Sequence, residues 1–307
     1  MQAALDYFSK RTWAKMAGVF SGIVFGVYWI PLRLMDAAGI HGMWAVVVFN
    51  VTAFALVSPW VIYKWRNFVI GRLRLQLGSI ITGLAYVLYT SAFLYTEVVR
   101  ALVLFYLMPI WGFVLARIFI NETITLTRWV SMVFGLAGLT VICGIKNGIP
   151  IPSNSGDWMA LAGGFVWAGG ALLILTDKQQ PLNYCAMFLF WASILSITAA
   201  LLATNHGLLL LPQWRQLPSI LFWLVPLAIL ITIPAAFATL FAPSQLNPGI
   251  VGLLFMTEIS IGTITAALFA GEPFRTTEIL GVLLITTAGL AEPVQSWITG
   301  SKAEKQV

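Results

Sequence analysis

Ten apolar runs, each of about 20 residues, occupy most of this chain, and runs of that length and character fit membrane-spanning helices better than any soluble element. They fall at residues 16–34, 43–63, 75–95, 100–120, 126–145, 158–176, 184–204, 220–241, 250–270 and 277–298. Only 9% of the residues are charged and 60% are hydrophobic, whereas a soluble domain carries roughly 25% charged residues. The narrowest division lies between the third and fourth runs, where only Thr96 to Val99 intervene. The first run is long for a signal-peptide core and continues into a multi-span chain, so it reads as a retained helix.

One segment is written twice. The first copy runs from Val99 through Tyr106, Pro109 and Asn121-Glu122 to Leu139, and the second from Pro248 through Thr257, Glu258 and Gly271-Glu272 to Leu290. In both, an apolar run ends at a small or amide residue followed by Glu, and the next run closes in Ala-Gly-Leu. Glu122 and Glu272 are 150 positions apart. With five crossings between the copies, the second must be inverted relative to the first, which is the construction of secondary transporters. A polar, breaker-rich loop around Pro150, Pro152, Ser153 and Asn154 divides the chain. The expectation is an all-α membrane protein of ten transmembrane helices in two inverted five-helix repeats, residues 1–147 and 157–300, with a linker at 148–156 and a tail at 301–307.

The net charge of +6 is explained by topology rather than by nucleic acid. If the runs alternate in direction, Arg33, Arg100, Lys146, Arg215 and Arg275 fall on one side, and the other twelve of the 17 Lys and Arg fall with the N-terminus. The positive-inside rule then puts both termini in the cytoplasm of a plasma or bacterial inner membrane. The cluster Lys64, Arg66, Arg72 and Arg74 fixes that orientation and is suited to anionic lipid head groups. Cys143 and Cys185 fall inside runs and read as small apolar side chains.

Several residues inside the runs point to a site. Gly18, Gly22 and Gly26 recur every four residues, and Gly163 and Gly164 open a second small-residue cluster; both permit close helix approach, either for static packing or for surfaces that move. A shorter echo links Gly22, Phe25 and Gly26 to Gly164, Trp167 and Ala168. Pro31, Pro109, Pro226 and Pro234 each remove a backbone donor and predict kinks. Thr82, Tyr86, Tyr89 and Phe93 share one face of the third run, while Tyr28, Trp29, Trp167 and Trp191 are interior aromatics that either line a cavity or fill a core. Trp13, Trp60, Trp158 and Trp297 lie near run ends, where interfacial anchoring accounts for them.

Glu258 is the most informative single residue. It sits well inside the ninth run, where an acidic group costs about 2.5–3.5 kcal/mol on insertion scales and must face protein or water. Two readings stand: a carrier of protons or counter-ion to a cationic substrate, or a structural carboxyl bonded to Thr or Tyr on a neighbouring helix. Glu122 and Glu272 precede the next runs and suit the positive ends of helices. Glu97 and Arg100 could pair on a helix surface, and Arg33 could snorkel or gate.

The span with Tyr106-Leu-Met-Pro109, followed by Asn121-Glu122, Thr125 and Gly135-Leu-Ala-Gly138, is repeated as Gly271-Glu272-Pro-Phe with Gly281 and Ala288-Gly289. Together with Gly163-Gly-Phe-Val-Trp167-Ala-Gly-Gly170, this pattern resembles the drug/metabolite transporter superfamily, EamA type. The resemblance implies a ten-helix secondary transporter and, for direction, an exporter. The family spans amino acids, drugs and other metabolites, and Thr257-Glu258-Ile259 departs from relatives that carry a Pro after the acidic or small position.

The residues therefore point to alternating-access transport of a small organic metabolite of amino acid, amine or quaternary ammonium type. Tyr28, Trp29, Tyr86, Tyr89, Tyr106, Trp167, Trp191 and Glu258 are the substrate-binding candidates, and Glu258 also the coupling candidate. The expected partners are the lipid bilayer, the solute and, as coupling ion, protons, with no cofactor or metal. A passive facilitator or channel is the alternative. No HExxH, nucleophile-elbow or Walker pattern supports an enzyme or an ATP-driven pump.

Overall fold

The computed structural model describes residues 2–69, 73–121, 125–143, 152–177, 179–271, 276–277 and 279–288. Glu122, Glu272, Arg72, Lys146, Lys178, Arg275, Trp297, linker residues 148–151 and the 301–307 tail lie outside these. All regular structure among the described residues is helical. In hydrocarbon every backbone group must be satisfied within its own segment, and the helix does this. Among the described residues, eight helical stretches are long and apolar enough to cross a membrane: Lys10–Ala37, Met43–Tyr63, Leu73–Tyr95, Val98–Ile120, Ser155–Thr176, Pro181–Asn205, Trp214–Phe241 and Pro248–Phe269. They coincide with eight of the ten expected runs. Two further apolar helices, Leu126–Cys143 and Ile279–Ala288, fall where the fifth and tenth were expected.

Several stretches are broken, and the breaks have causes in the sequence. The first divides into α1 (Gln2–Phe25) and α2 (Trp29–Ala37), because Pro31 has no N–H for the carbonyl of Val27. The second is α3 (Met43–Tyr63), followed by a single turn, α4 (Arg66–Val69), and the third is α5 (Leu73–Tyr95). The fourth divides into α6 (Val98–Phe105) and α7 (Met108–Ile120), since Pro109 cannot donate to the Phe105 carbonyl. After α8 (Leu126–Cys143) come α9 (Ser155–Thr176) and α10 (Pro181–Asn205). The eighth stretch runs from α11 (Leu217–Leu227) through a π turn at Ala228–Thr232 into α12 (Ile233–Phe241). Pro226 and Pro234 flank that turn, which spreads the missing donors over a wider loop. The ninth divides into α13 (Pro248–Phe255) and α14 (Thr257–Phe269), and α15 (Ile279–Ala288) is the last described helix.

Break positions repeat with the sequence. Tyr106 caps α6 and Met256 caps α13, 150 residues apart, the same offset as Glu122 and Glu272. The small or amide residues that end the first run of each copy have a common backbone reason: Asn121 and Gly271 are left-handed, at φ 52° and 69°, a conformation that Asn and Gly tolerate best at a helix end.

The bundle is crossed between its halves. Helix α1, from the first half, packs on α12, α13 and α14, while α9, from the second, packs on α5, α6 and α7. The glycine clusters make these contacts possible. A methyl added at Gly22 would meet Thr257, the Phe255 carbonyl and the Glu258 amide; one added at Gly26 would lie 3.0 Å from the Glu258 carbonyl. One added at Gly163 would lie 3.1 Å from the Ala85 carbonyl, and one at Gly164 would overlap the Phe105 carbonyl. Both glycine stripes therefore press on the breaks of the two repeated stretches, against Phe105 and Phe255, themselves 150 positions apart.

Candidate functional site

The broken stretches meet around Glu258, which is 4% exposed. Its position follows from the ninth break: ending α13 at Phe255 and restarting at Thr257 brings Glu258 into the first turn of α14, facing α5 and α6. Tyr89 of α5 donates to Oε1, and Tyr106 donates to Oε2 over 2.6 Å. The same Tyr106 hydroxyl lies 2.6 Å from the Phe255 carbonyl, so a phenol from the fourth stretch has a backbone acceptor at the ninth break as an alternative to the carboxyl. The Tyr89 ring stacks on Phe105 with centroids 3.9 Å apart, which fixes the direction of its hydroxyl.

Beside the carboxyl lies a cavity of about 30 Å³, lined by Ser21, Phe25, Tyr86, Tyr89, Phe105, Trp167, Thr239, Phe255 and Glu258. That is room for about one water. Among the described residues, six of the nine lining side chains are aromatic, Glu258 supplies the only carboxyl, and no Lys, Arg or His contributes. The indole N–H of Trp167 has no hydrogen-bond partner among the described residues. Behind this wall the hydroxyls of Tyr28 and Tyr86 are bonded to each other, and Ser21 is bonded to Thr239, tying α1 to α12.

Tyr86, Tyr89, Trp167 and Glu258, four of the eight candidates, thus line the cavity. Tyr28 and Tyr106 stand one hydrogen bond behind it. Trp29 and Trp191 lie elsewhere. Trp29 donates to Thr265 over 3.2 Å and carries the Arg33 guanidinium 5.2 Å above its ring, with Arg33 Nε 3.4 Å from the Phe93 carbonyl. Trp191 donates to Gln76 over 2.6 Å, and Gln76 in turn donates to the Phe68 carbonyl, which anchors the turn after α3.

Sequence reasoning did not foresee Phe25, Phe105 and Phe255 as cavity lining, although a signal existed. Phe105 and Phe255 occupy matching positions of the repeat, and Phe25 is the counterpart of Trp167 in the shorter echo. Ser21 and Thr239 carried no such signal. A second unforeseen cluster involves Asp157, fully buried near the start of α9. Arg100 donates to its Oδ2 over 2.7 Å, Thr96 to Oδ1 over 2.8 Å, and the Ser153 amide to Oδ2 over 2.8 Å. The partner of Arg100 is therefore Asp157; Glu97, expected there, is exposed.

A carboxyl inside a ring of aromatic faces, with no competing cation, is suited to a positively charged organic group. The fold and this site define a multi-pass helical membrane protein with a buried acid, Glu258, at the meeting of its broken helices. Residues 12–144 match the EamA-like transporter family, part of the drug/metabolite transporter superfamily, and a match to that family implies a membrane transporter of that type. It is also similar to a protein of known crystal structure, with a TM-score of 0.70 at 14% identity over 93% of this chain and 98% of the other. At that identity the likeness speaks for the fold alone. Among curated proteins none matches the sequence.

Proposed function

We propose that this protein is a secondary transporter that exports a small organic solute bearing a cationic group, an amine, quaternary ammonium compound or amino acid, by alternating access. The observation that carries the reading is Glu258, a carboxyl in a mostly aromatic cavity at the meeting point of broken helices. The unpaired Trp167 N–H keeps amino acids in the class, because a carboxylate on the solute could accept from it. Export follows from the family resemblance. Ten spans in two inverted repeats are supported by the matched breaks at Tyr106 and Met256 and by the reciprocal packing of Gly22 and Gly164. An inverted pair of half-structures gives two related arrangements, each closed at one end, which is what alternating access requires.

Purified protein in liposomes loaded with an unlabelled cationic amine should accumulate the labelled amine transiently by counterflow, and vesicles without protein should not. Labelled solute that equilibrates at the same rate with or without unlabelled solute inside would favour a channel or passive facilitator.

The orientation in this proposal puts both termini and the Lys64–Arg66 turn in the cytoplasm of a plasma or bacterial inner membrane. With Cys143 and Cys185 replaced, Leu208→Cys should react with an impermeant thiol reagent applied to intact cells, and Asn67→Cys only after lysis. The reverse pattern would overturn the orientation.

A further inference from the structure

We propose that the phenols of Tyr89 and Tyr106 are internal stand-ins for the substrate: they occupy the Glu258 carboxyl while the carrier is unloaded, and an arriving solute displaces them. The inference rests on the reading of Glu258 as the substrate carboxyl.

Three observations carry it. Each carboxyl oxygen already has a phenol partner, Tyr89 on Oε1 and Tyr106 on Oε2. The space left beside them is about 30 Å³, far below the roughly 300 Å³ at which small-molecule pockets begin. An organic cation therefore cannot simply be added to this arrangement; room and lone pairs must both be released. Finally, both phenols come from the first half of the chain and the carboxyl from the second, so their bonds join the two sets of helices that would have to separate for loading.

Tyr106 has an alternative acceptor at hand. Its hydroxyl is as close to the Phe255 carbonyl as to Glu258, 2.6 Å in each case, and a phenol has one proton to donate. When a solute takes Oε2, Tyr106 can keep its proton on the Phe255 carbonyl without a buried donor left unpaired. Glu258 has no such alternative among the described residues. An unloaded carboxyl without phenols would be a buried polar group without donors, costly in a membrane interior, and that cost would fall on the step in which the unloaded carrier changes its exposure.

This assigns Tyr89 and Tyr106 to the return step and not to solute binding, and the two steps can be measured separately. In proteoliposomes, net efflux of a labelled quaternary ammonium solute requires the unloaded carrier to return, whereas exchange against the same unlabelled solute does not. For Tyr89→Phe with Tyr106→Phe, the ratio of net efflux to exchange is expected to fall about tenfold and the apparent affinity in exchange to tighten several-fold, because competing donors are gone. A net-to-exchange ratio equal to that of the parent, or an affinity that weakens, overturns the proposal; the latter would make the phenols solute contacts. Should the double variant fail to fold, the two single variants carry the same readouts. A parent protein that exchanges no cationic solute defeats the functional reading itself and this inference with it, a result distinct from parent exchange with an unaltered ratio in the variants.

Discussion

Glu258→Gln is expected to weaken binding of cationic solutes about ten- to hundredfold while altering that of neutral solutes of similar size less than about threefold, since a hydrogen bond to a charged group is the stronger kind. The amide has nearly the shape of the carboxyl. Its oxygen can accept from Tyr89 and its NH2 can donate to the Tyr106 oxygen, leaving the Tyr106 proton on the Phe255 carbonyl, so the helix breaks and the surrounding packing should persist. What is lost is charge and titration. Competition of cationic and neutral solutes against labelled counterflow in proteoliposomes measures both effects. A variant that exchanges solute yet no longer concentrates it would place proton coupling on the same carboxyl. Affinities equal to those of the parent for both solute types, with concentrative transport intact, would reduce Glu258 to a structural group held by two tyrosines.

The second large effect is expected at the glycines that press on the breaks. Gly164→Ala should destabilise the protein by about 1–3 kcal/mol, because the added methyl overlaps the rigid Phe105 carbonyl and α9 must move off α6 to relieve it. Gly164→Leu should cost more and reduce the yield of folded protein. Gly169, five residues along the same helix, has nothing within 4 Å of an added methyl, so Gly169→Ala should be neutral or stabilising by up to about 1 kcal/mol through helix propensity alone. Apparent melting temperature in detergent and the monodisperse fraction on size exclusion compare the two directly. Equal melting temperatures for Gly164→Ala and Gly169→Ala would mean that α9 and α6 are not in the close contact described here. Because backbone approaches backbone at Gly22 and Gly164, the fold itself needs side chains to be absent there.

Hydropathy alone determined the helical class and the places of the eight long membrane-crossing stretches, since spanning length is set by bilayer thickness and leaves its mark on every run. The prolines located the breaks near Val27 and Phe105 and the π turn between Pro226 and Pro234, because a missing N–H acts on a carbonyl four residues away in the same helix. The depth of Glu258 announced a paired or functional acid, for the cost of burying a carboxyl is independent of its partners. Which partners it has was decided only in three dimensions. Tyr89 and Tyr106 were both in view as aromatics, but nothing local to either could say that their hydroxyls converge on one carboxyl while Trp29 and Trp191, equally apolar in context, turn to Thr265 and Gln76. The break at Met256 has no proline to announce it; it is legible only as the counterpart of Tyr106 in the other copy, and its freed Phe255 carbonyl lies 2.6 Å from a phenol 149 positions away. Arg100 likewise had an acid three residues off in Glu97, yet bonds to Asp157 beyond the linker. Burial per residue and backbone chemistry are local quantities, and sequence records them; the pairing of polar groups across helices depends on which faces meet, and that was set by where glycines let α1 and α9 approach the broken stretches.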